Sequence, residues 1–227
     1  MNYYAYVVVT KNEFKYTTSD KKAELVLSVE GHNGVVRTLP DLGNAIDITE
    51  FSGFITLADN LYRIIGVFGD NNHGIKDQQL VKVIKNTTYG KLAWNTTKSN
   101  DWASTSLNET LNSTFKTEKL SGFEDKIANV TWRTSGYSSS DITAKTAYTG
   151  EITNATKTHT AKIGLMYPSD YGYATIPDYW TTGLNEYYHA TAYGVITTCA
   201  VRPSFYLLSS VNFARSDGTS SSPFCIN

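Results

Sequence analysis

Short runs of β-branched and aromatic residues alternate with polar stretches along this chain, and that spacing predicts strands. The runs are Tyr3–Val9, Glu24–Val29, Leu61–Phe68, Leu80–Ile84, Lys162–Met166, Val201–Leu208 and Val211–Ala214. Leu61–Phe68 and Leu80–Ile84 flank the polar segment Gly69–Gly74, which predicts a hairpin with a long polar loop. Helical patterning is confined to one region. Ser106-Leu-Asn-Glu109 has the form of a capping box, and Leu107, Leu111 and Phe115 follow at four-residue spacing. Ser121-Gly-Phe-Glu124 repeats the capping pattern, with Phe123 and Ile127 one turn apart. Two short helices joined by Lys116–Leu120 and packed on the sheet are expected.

Thr134–Thr160 is rich in Ser, Thr, Gly and Ala without clear periodicity, and is expected to be a long loop or irregular ribbon. Residues 1–50 differ from the remainder. Their two strand-like segments are expected to be an N-terminal β segment or subdomain, the end of a preceding domain, or an integral part of the sheet, with Leu39–Gly43 as the best linker and residues 51–227 as the main domain. The expected fold class is α+β.

Composition narrows the function. At 227 residues the chain can bury a substantial core. Charged residues make up only 18%, and Thr, Ser, Asn and Tyr take their place, a bias common on extracellular proteins. With net charge −1 and scattered Lys and Arg, there is no basic stripe for phosphates, so no nucleic-acid partner is expected. No apolar run reaches the roughly 18 residues of a transmembrane helix, so no membrane insertion is expected. Met1–Thr10 reads as a strand rather than a secretion signal, so an exported protein would carry its signal elsewhere.

Signals for chemistry are weak. His32, His73, His159 and His189 lie far apart, three of them beside Gly, Asn or Thr in expected loops, where solvation is the simplest reading. A hydrolase would need a cleft in which His189 or His159 meets a carboxylate. No Gly-x-Ser-x-Gly elbow, phosphate-cradling glycine loop or EF-hand loop occurs. Gly69–Gly74 offers oxygen ligands for Ca²⁺, but a polar turn explains it as well. Neither enzymatic activity, a metal nor another cofactor is expected. Cys199 and Cys225 lack metal-site spacing. A hairpin between 200–208 and 223–226 would keep them beyond bridging distance, leaving two buried thiols as the alternative to a disulfide. Six Asn-x-Ser/Thr sequons, at Asn86, Asn95, Asn108, Asn112, Asn129 and Asn154, are too close to chance expectation to indicate glycosylation.

The aromatic crowding after Met166 carries more weight. Tyr167, Tyr171, Tyr173, Tyr179, Tyr187, Tyr188 and Tyr193 are seven of the sixteen tyrosines, and Trp180 lies among them. Tyr and Trp give rigid, amphipathic contact area at little entropic cost, so recognition surfaces concentrate them. The competing reading is that these rings fill the core of a loop-rich domain. Tyr171, Tyr179, Trp180, Tyr187, Tyr188, His189 and Tyr193 are the candidate ligand contacts, with Tyr187, Tyr188 and His189 most exposed in expectation.

Several motifs, in one order, also resemble a known family. Tyr62–Phe68, Trp102, Ser106-Leu, Leu111-Asn112, Phe115, Ile127–Trp132, Lys162–Ala174, Val201–Leu207 and Gly218–Phe224 together resemble a bacterial C-type-lectin-like domain of unknown function, found in surface and secreted proteins of low-GC Gram-positive gut bacteria. The resemblance covers roughly residues 55–227, and makes 51–227 a C-type-lectin-like domain. It implies a twisted antiparallel sheet, two short helices and long ligand-presenting loops. Between Thr175 and Ala200 the chain is shorter than the family pattern, with only Trp180 and Gly194-Val-Ile recognisable. The Glu-Pro-Asn, Gln-Pro-Asp and Trp-Asn-Asp motifs of calcium-dependent lectins are missing, so the resemblance implies neither calcium nor sugar. The close copper-binding cysteine pair of the related formylglycine-generating enzymes is missing too. Pro203 suits a strand edge or bulge, and Arg202 suits a clamp on nearby carbonyl or carboxylate groups.

The function expected is an extracellular or cell-surface adhesion module of a larger exported bacterial protein, binding a protein or glycan ligand. The alternative is a structural spacer in a surface stalk or phage tail, without a ligand of its own.

Overall fold

The computed structural model describes residues 36–38, 46–48, 54–78, 80–97, 99, 101–135, 149–167, 170, 198–211 and 220–226. These form a mixed α+β fold with a mostly antiparallel sheet and a few short helices. The expected strands Tyr3–Val9 and Glu24–Val29, and the linker Leu39–Gly43, lie outside the described residues.

The central hairpin is the predicted one. β4 (Asn60–Phe68) pairs antiparallel with β5 (Leu80–Lys85), and the loop between them contains a four-residue helix, α1 (Asp70–His73). β3 (Phe54–Leu57) pairs with the first half of β4 through a tight turn in which Ala58 and Asp59 both have positive φ, as a two-residue hairpin requires. β1 (Val36–Thr38) and β2 (Ile46–Ile48) form a ribbon, and β2 joins β4 at Ile46–Val67. On the other side of β5 lies β11 (Ser204–Tyr206), followed by β9 (Ile163–Gly164).

The run Val201–Leu208 is not one strand. β10 (Thr198–Val201) pairs with β6 (Gly90–Ala93) in a separate ribbon, and the chain changes sheet at Arg202-Pro203 before entering β11. Pro203 carries no N–H, but its carbonyl accepts from Lys85 N at 2.9 Å. Arg202 Nε donates to Lys85 O at 3.0 Å and Nη2 to Asn86 O, the expected clamp. β12 (Phe224–Cys225) runs parallel to β3 and does not return along β11. Cys225 therefore faces Thr56 across the ladder while Cys199 faces Leu92; they form no disulfide, and Cys225 is exposed rather than buried.

The helical region also departs from expectation. Leu107, Leu111 and Phe115 are all buried, as their spacing requires. The N-cap, however, is Thr105, whose Oγ1 accepts from Asn108 N at 3.1 Å, so the cap lies one residue earlier than the capping-box pattern suggests. α2 (Ser106–Thr110) continues through a π-helical stretch at Leu111–Phe115 into α3 (Lys116–Lys119), so the expected linker is helix. The expected second helix is reduced to a 3-10 turn at Glu124–Lys126. Part of the expected loop at 134–160 is ordered as well: a π-helical turn spans Thr149–Thr153, and β8 (Thr158–Ala161) pairs with β7 (Val130–Arg133).

Both faces of the central sheet are buried. One face carries Tyr62, Ile64, Val81, Val83 and Phe205, covered by Leu107, Leu111 and Phe115. Complete burial of Leu111 or Phe115 contributes about 1.5–3 kcal/mol each. The other carries Ile65, Phe68, Leu80, Ile84 and Tyr206 beneath Val130, Trp132 and Ile152. A bulge at Ile65 connects the two patterns: Ile64 pairs with Val83, but Gly66 pairs with Lys82. One extra residue reverses side-chain alternation, so Phe68 faces the second core instead of sharing the face of Tyr62 and Ile64.

Candidate functional site

The second face contains a cluster of ionisable groups that a core ordinarily excludes. In β5, Val81 and Val83 point to the first core, so Lys82 must point to the second, between Leu80 and Ile84. In the ladder Lys82 lies between Gly66, which has no side chain, and Tyr206. It is completely buried. Its Nζ lies 4.3 Å from the centre of the Tyr167 ring, 5.1 Å from Tyr206, 5.3 Å from Trp132 and 5.6 Å from Phe68. These rings also contact one another, with Trp132 centred 6.0 Å from Tyr167 and 5.6 Å from Tyr206. An ammonium among π faces gains cation–π attraction, but it has lost its water.

The compensating charge is Asp170. Lys82 Nζ donates to Asp170 Oδ2 at 2.5 Å, and the carboxylate is 1% exposed. The same Oδ2 accepts from Tyr167 N at 2.8 Å, while Asp170 N donates to Tyr167 O at 3.1 Å. Tyr167 and Asp170 are thereby tied to each other. A second carboxyl, Glu151, is 3% exposed and close enough for its charge to act on both Lys82 and Tyr167. Burial pushes the Lys82 ammonium below its usual range, against the opposing pull of Asp170 and Glu151. Burial likewise raises the Tyr167 phenol, whose oxygen accepts from Arg133 N at 2.7 Å.

The surroundings fix these rings in place. Gly164 passes so close to Trp132 that an added Cβ would lie 2.6 Å from the indole. Trp132 Nε1 donates to Ala161 O at 3.0 Å. His73, expected to be solvated, is fully buried against Tyr206. Ile75 N donates to its Nδ1 at 3.1 Å, which leaves Nε2–H to donate to Phe68 O at 3.1 Å. That pattern suits the neutral imidazole, and burial holds it below its ordinary value of 6.5.

Of the expected contact residues, Tyr171, Tyr179, Trp180, Tyr187, Tyr188, His189 and Tyr193 all lie outside the described residues. Tyr167, at the edge of that tyrosine-rich stretch, is core. Both roots of the stretch are anchored: Asp170 by Lys82, and Thr198 by its pairing with Ala93. Among the described residues His159 meets no carboxylate; its Nε2 accepts from Asn108 Nδ2 at 3.1 Å. Asn95 and Asn108 are buried, so two of the six sequons are inaccessible in the folded chain. Among the described residues no three His, Cys, Asp or Glu side chains are grouped as metal ligands, and no helix is long and apolar enough to cross a membrane.

The residues missed by sequence reasoning are Lys82, Glu151 and Asp170. A lysine inside Leu80-Val-Lys-Val-Ile84 was the available signal, since a near-continuous apolar run marks a strand buried on both faces. Comparison with family models, curated proteins and solved structures found no match to this chain.

Proposed function

We propose that this chain is a binding domain of an extracellular bacterial surface protein, with a C-type-lectin-like scaffold over residues 51–227 and no catalysis of its own. Residues 171–197 would supply contacts to a protein or glycan ligand. The observation that carries this reading is the anchoring of both roots of that segment. Asp170 is buried and held by Lys82 and by the Tyr167 amide, and Thr198 begins a strand paired with Gly90–Ala93. Fixed roots limit the entropy lost when a contact segment binds. The composition between them, with Tyr171, Tyr179, Trp180, Tyr187, Tyr188, His189 and Tyr193, is that of a recognition surface.

The test is the Trp180→Ala, Tyr187→Ala, Tyr188→Ala triple variant, compared with the parent chain on a glycan array and on an array of purified extracellular-matrix proteins. Retained circular dichroism and melting, with binding weakened at least about tenfold, would support the site. Undiminished binding by the folded variant would eliminate it. One observation favours a spacer instead: Lys82–Asp170 ties a central strand to a residue 88 positions later, as a module that resists pulling would need. A parent chain that binds nothing on either array favours that second reading.

A further inference from the structure

Lys82 and Asp170 are buried in direct contact, and Glu151 is a second buried carboxyl whose charge reaches Lys82. All three side chains are at most 3% exposed, so no external substrate reaches them. The amine and the carboxyl are already in contact, with Nζ 2.5 Å from Oδ2. Water, the competitor and the product of amide formation, is excluded by Phe68, Trp132, Tyr167 and Tyr206.

We propose that Lys82 and Asp170 condense to an intramolecular isopeptide bond, with Glu151 as the proton carrier. An ion pair in apolar surroundings loses hydration that its attraction only partly returns, so moving one proton along the hydrogen bond to Oδ2, to give amine and carboxylic acid, is cheap there. Burial already depresses the Lys82 ammonium in that direction. The neutral Nζ then adds to Asp170 Cγ. The Tyr167 backbone N–H, which already donates to Oδ2 at 2.8 Å, holds that protonated oxygen in place while charge develops on Oδ1. Glu151 takes a second proton from Nζ and delivers it to the departing Oδ2–H. The Nζ–Cγ bond forms, the Cγ–Oδ2 bond breaks, and one water leaves. Ammonium and carboxylate become amide and water without any oxidant or activating group. Two groups fixed in contact react with effective molarities of about 10⁵–10⁸ M, which compensates for an unactivated carboxyl.

This does not rest on the ligand-binding reading, because every reacting atom lies in the core. The experiment is denaturing intact-mass spectrometry of the full folded chain, followed by proteolysis and fragment sequencing. The expected result is a mass one water below that of the sequence, carried by a branched peptide joining Lys82 to Asp170. Lys82→Met and Asp170→Ala should each restore the full mass. Asp170→Asn should lose ammonia in place of water. Glu151→Gln, which keeps both reacting groups, should leave the bond unformed or slow its appearance at least tenfold. A full, unshifted mass in a chain that melts cooperatively would overturn the proposal. So would a water loss that persists in Lys82→Met, since that would mark a local cyclisation at an aspartate. Undiminished bond formation in Glu151→Gln would overturn the role of Glu151.

Discussion

The two faces of the central sheet are built on opposite principles. The face under α2 is filled by Ile64, Val81, Val83, Leu107, Leu111, Phe115 and Phe205, and its strength is the removal of apolar surface from water. The face under β7 and β8 is crowded with aromatic rings that enclose Lys82, Asp170, Glu151 and His73. Charges buried there cost several kcal/mol each in lost hydration, which their attraction only partly returns. The first face can therefore supply net stability. The second holds chosen atoms at fixed positions, including the residue from which the tyrosine-rich segment departs.

Substitutions can break that contrast. Lys82→Met should lose about 3–5 kcal/mol in urea denaturation, because it strands buried carboxyl groups without their cation. Adding Asp170→Asn should return part of that loss. Phe115→Ala on the other face should cost a similar amount, about 3–5 kcal/mol, through a cavity that no second polar change repairs. If Asp170→Asn brings no recovery in the Lys82→Met background, the two faces do not differ in the way described. Gly164→Ala should cost about 1–3 kcal/mol, since the indole of Trp132 must move away from the new methyl. Its effect should also appear in the near-ultraviolet dichroism of the aromatic face, which sharpens the assignment.

The smallest effect expected is a pH dependence confined to the second face. His73 is held below its ordinary 6.5 by burial, so as pH falls below that value the unfolded chain takes up a proton before the folded one does. Stability contributed by neutral His73 is therefore present above 6.5 and declines on acidification until the folded imidazole is also protonated. Denaturation midpoints at pH 7.5 and 5.5 should show the decline in the parent and in Phe115→Ala. His73→Gln should flatten it.

Where a residue's surroundings are local, the sequence was legible. The Leu61–Phe68 and Leu80–Ile84 strands and the Leu107, Leu111, Phe115 stripe follow from periodicity, and the structure has them. Thr105 displaced Ser106 as the cap because both carry a hydroxyl and the choice depends on where the chain turns. Val201–Leu208 looked continuous because Arg202-Pro203 interrupts the ladder without interrupting the apolar pattern. Thr158–Ala161 lacks the apolar alternation of an isolated strand and owes its order to pairing with Val130–Arg133. The candidate site was hidden more deeply. Lys82, Glu151 and Asp170 are ordinary polar residues by composition, and His73 sits in a stretch whose polarity suggested solvent.

By itself, then, the sequence determined the class of fold, the central hairpin and the helix that covers its first face, because hydrophobic period is a property of neighbouring residues. Only the tertiary structure decided that the second face is also covered. That outcome depends on a bulge at Ile65, the pairing of 130–133 with 158–161 and an aspartate 88 positions from its lysine, and burial is set by what arrives from elsewhere in the chain.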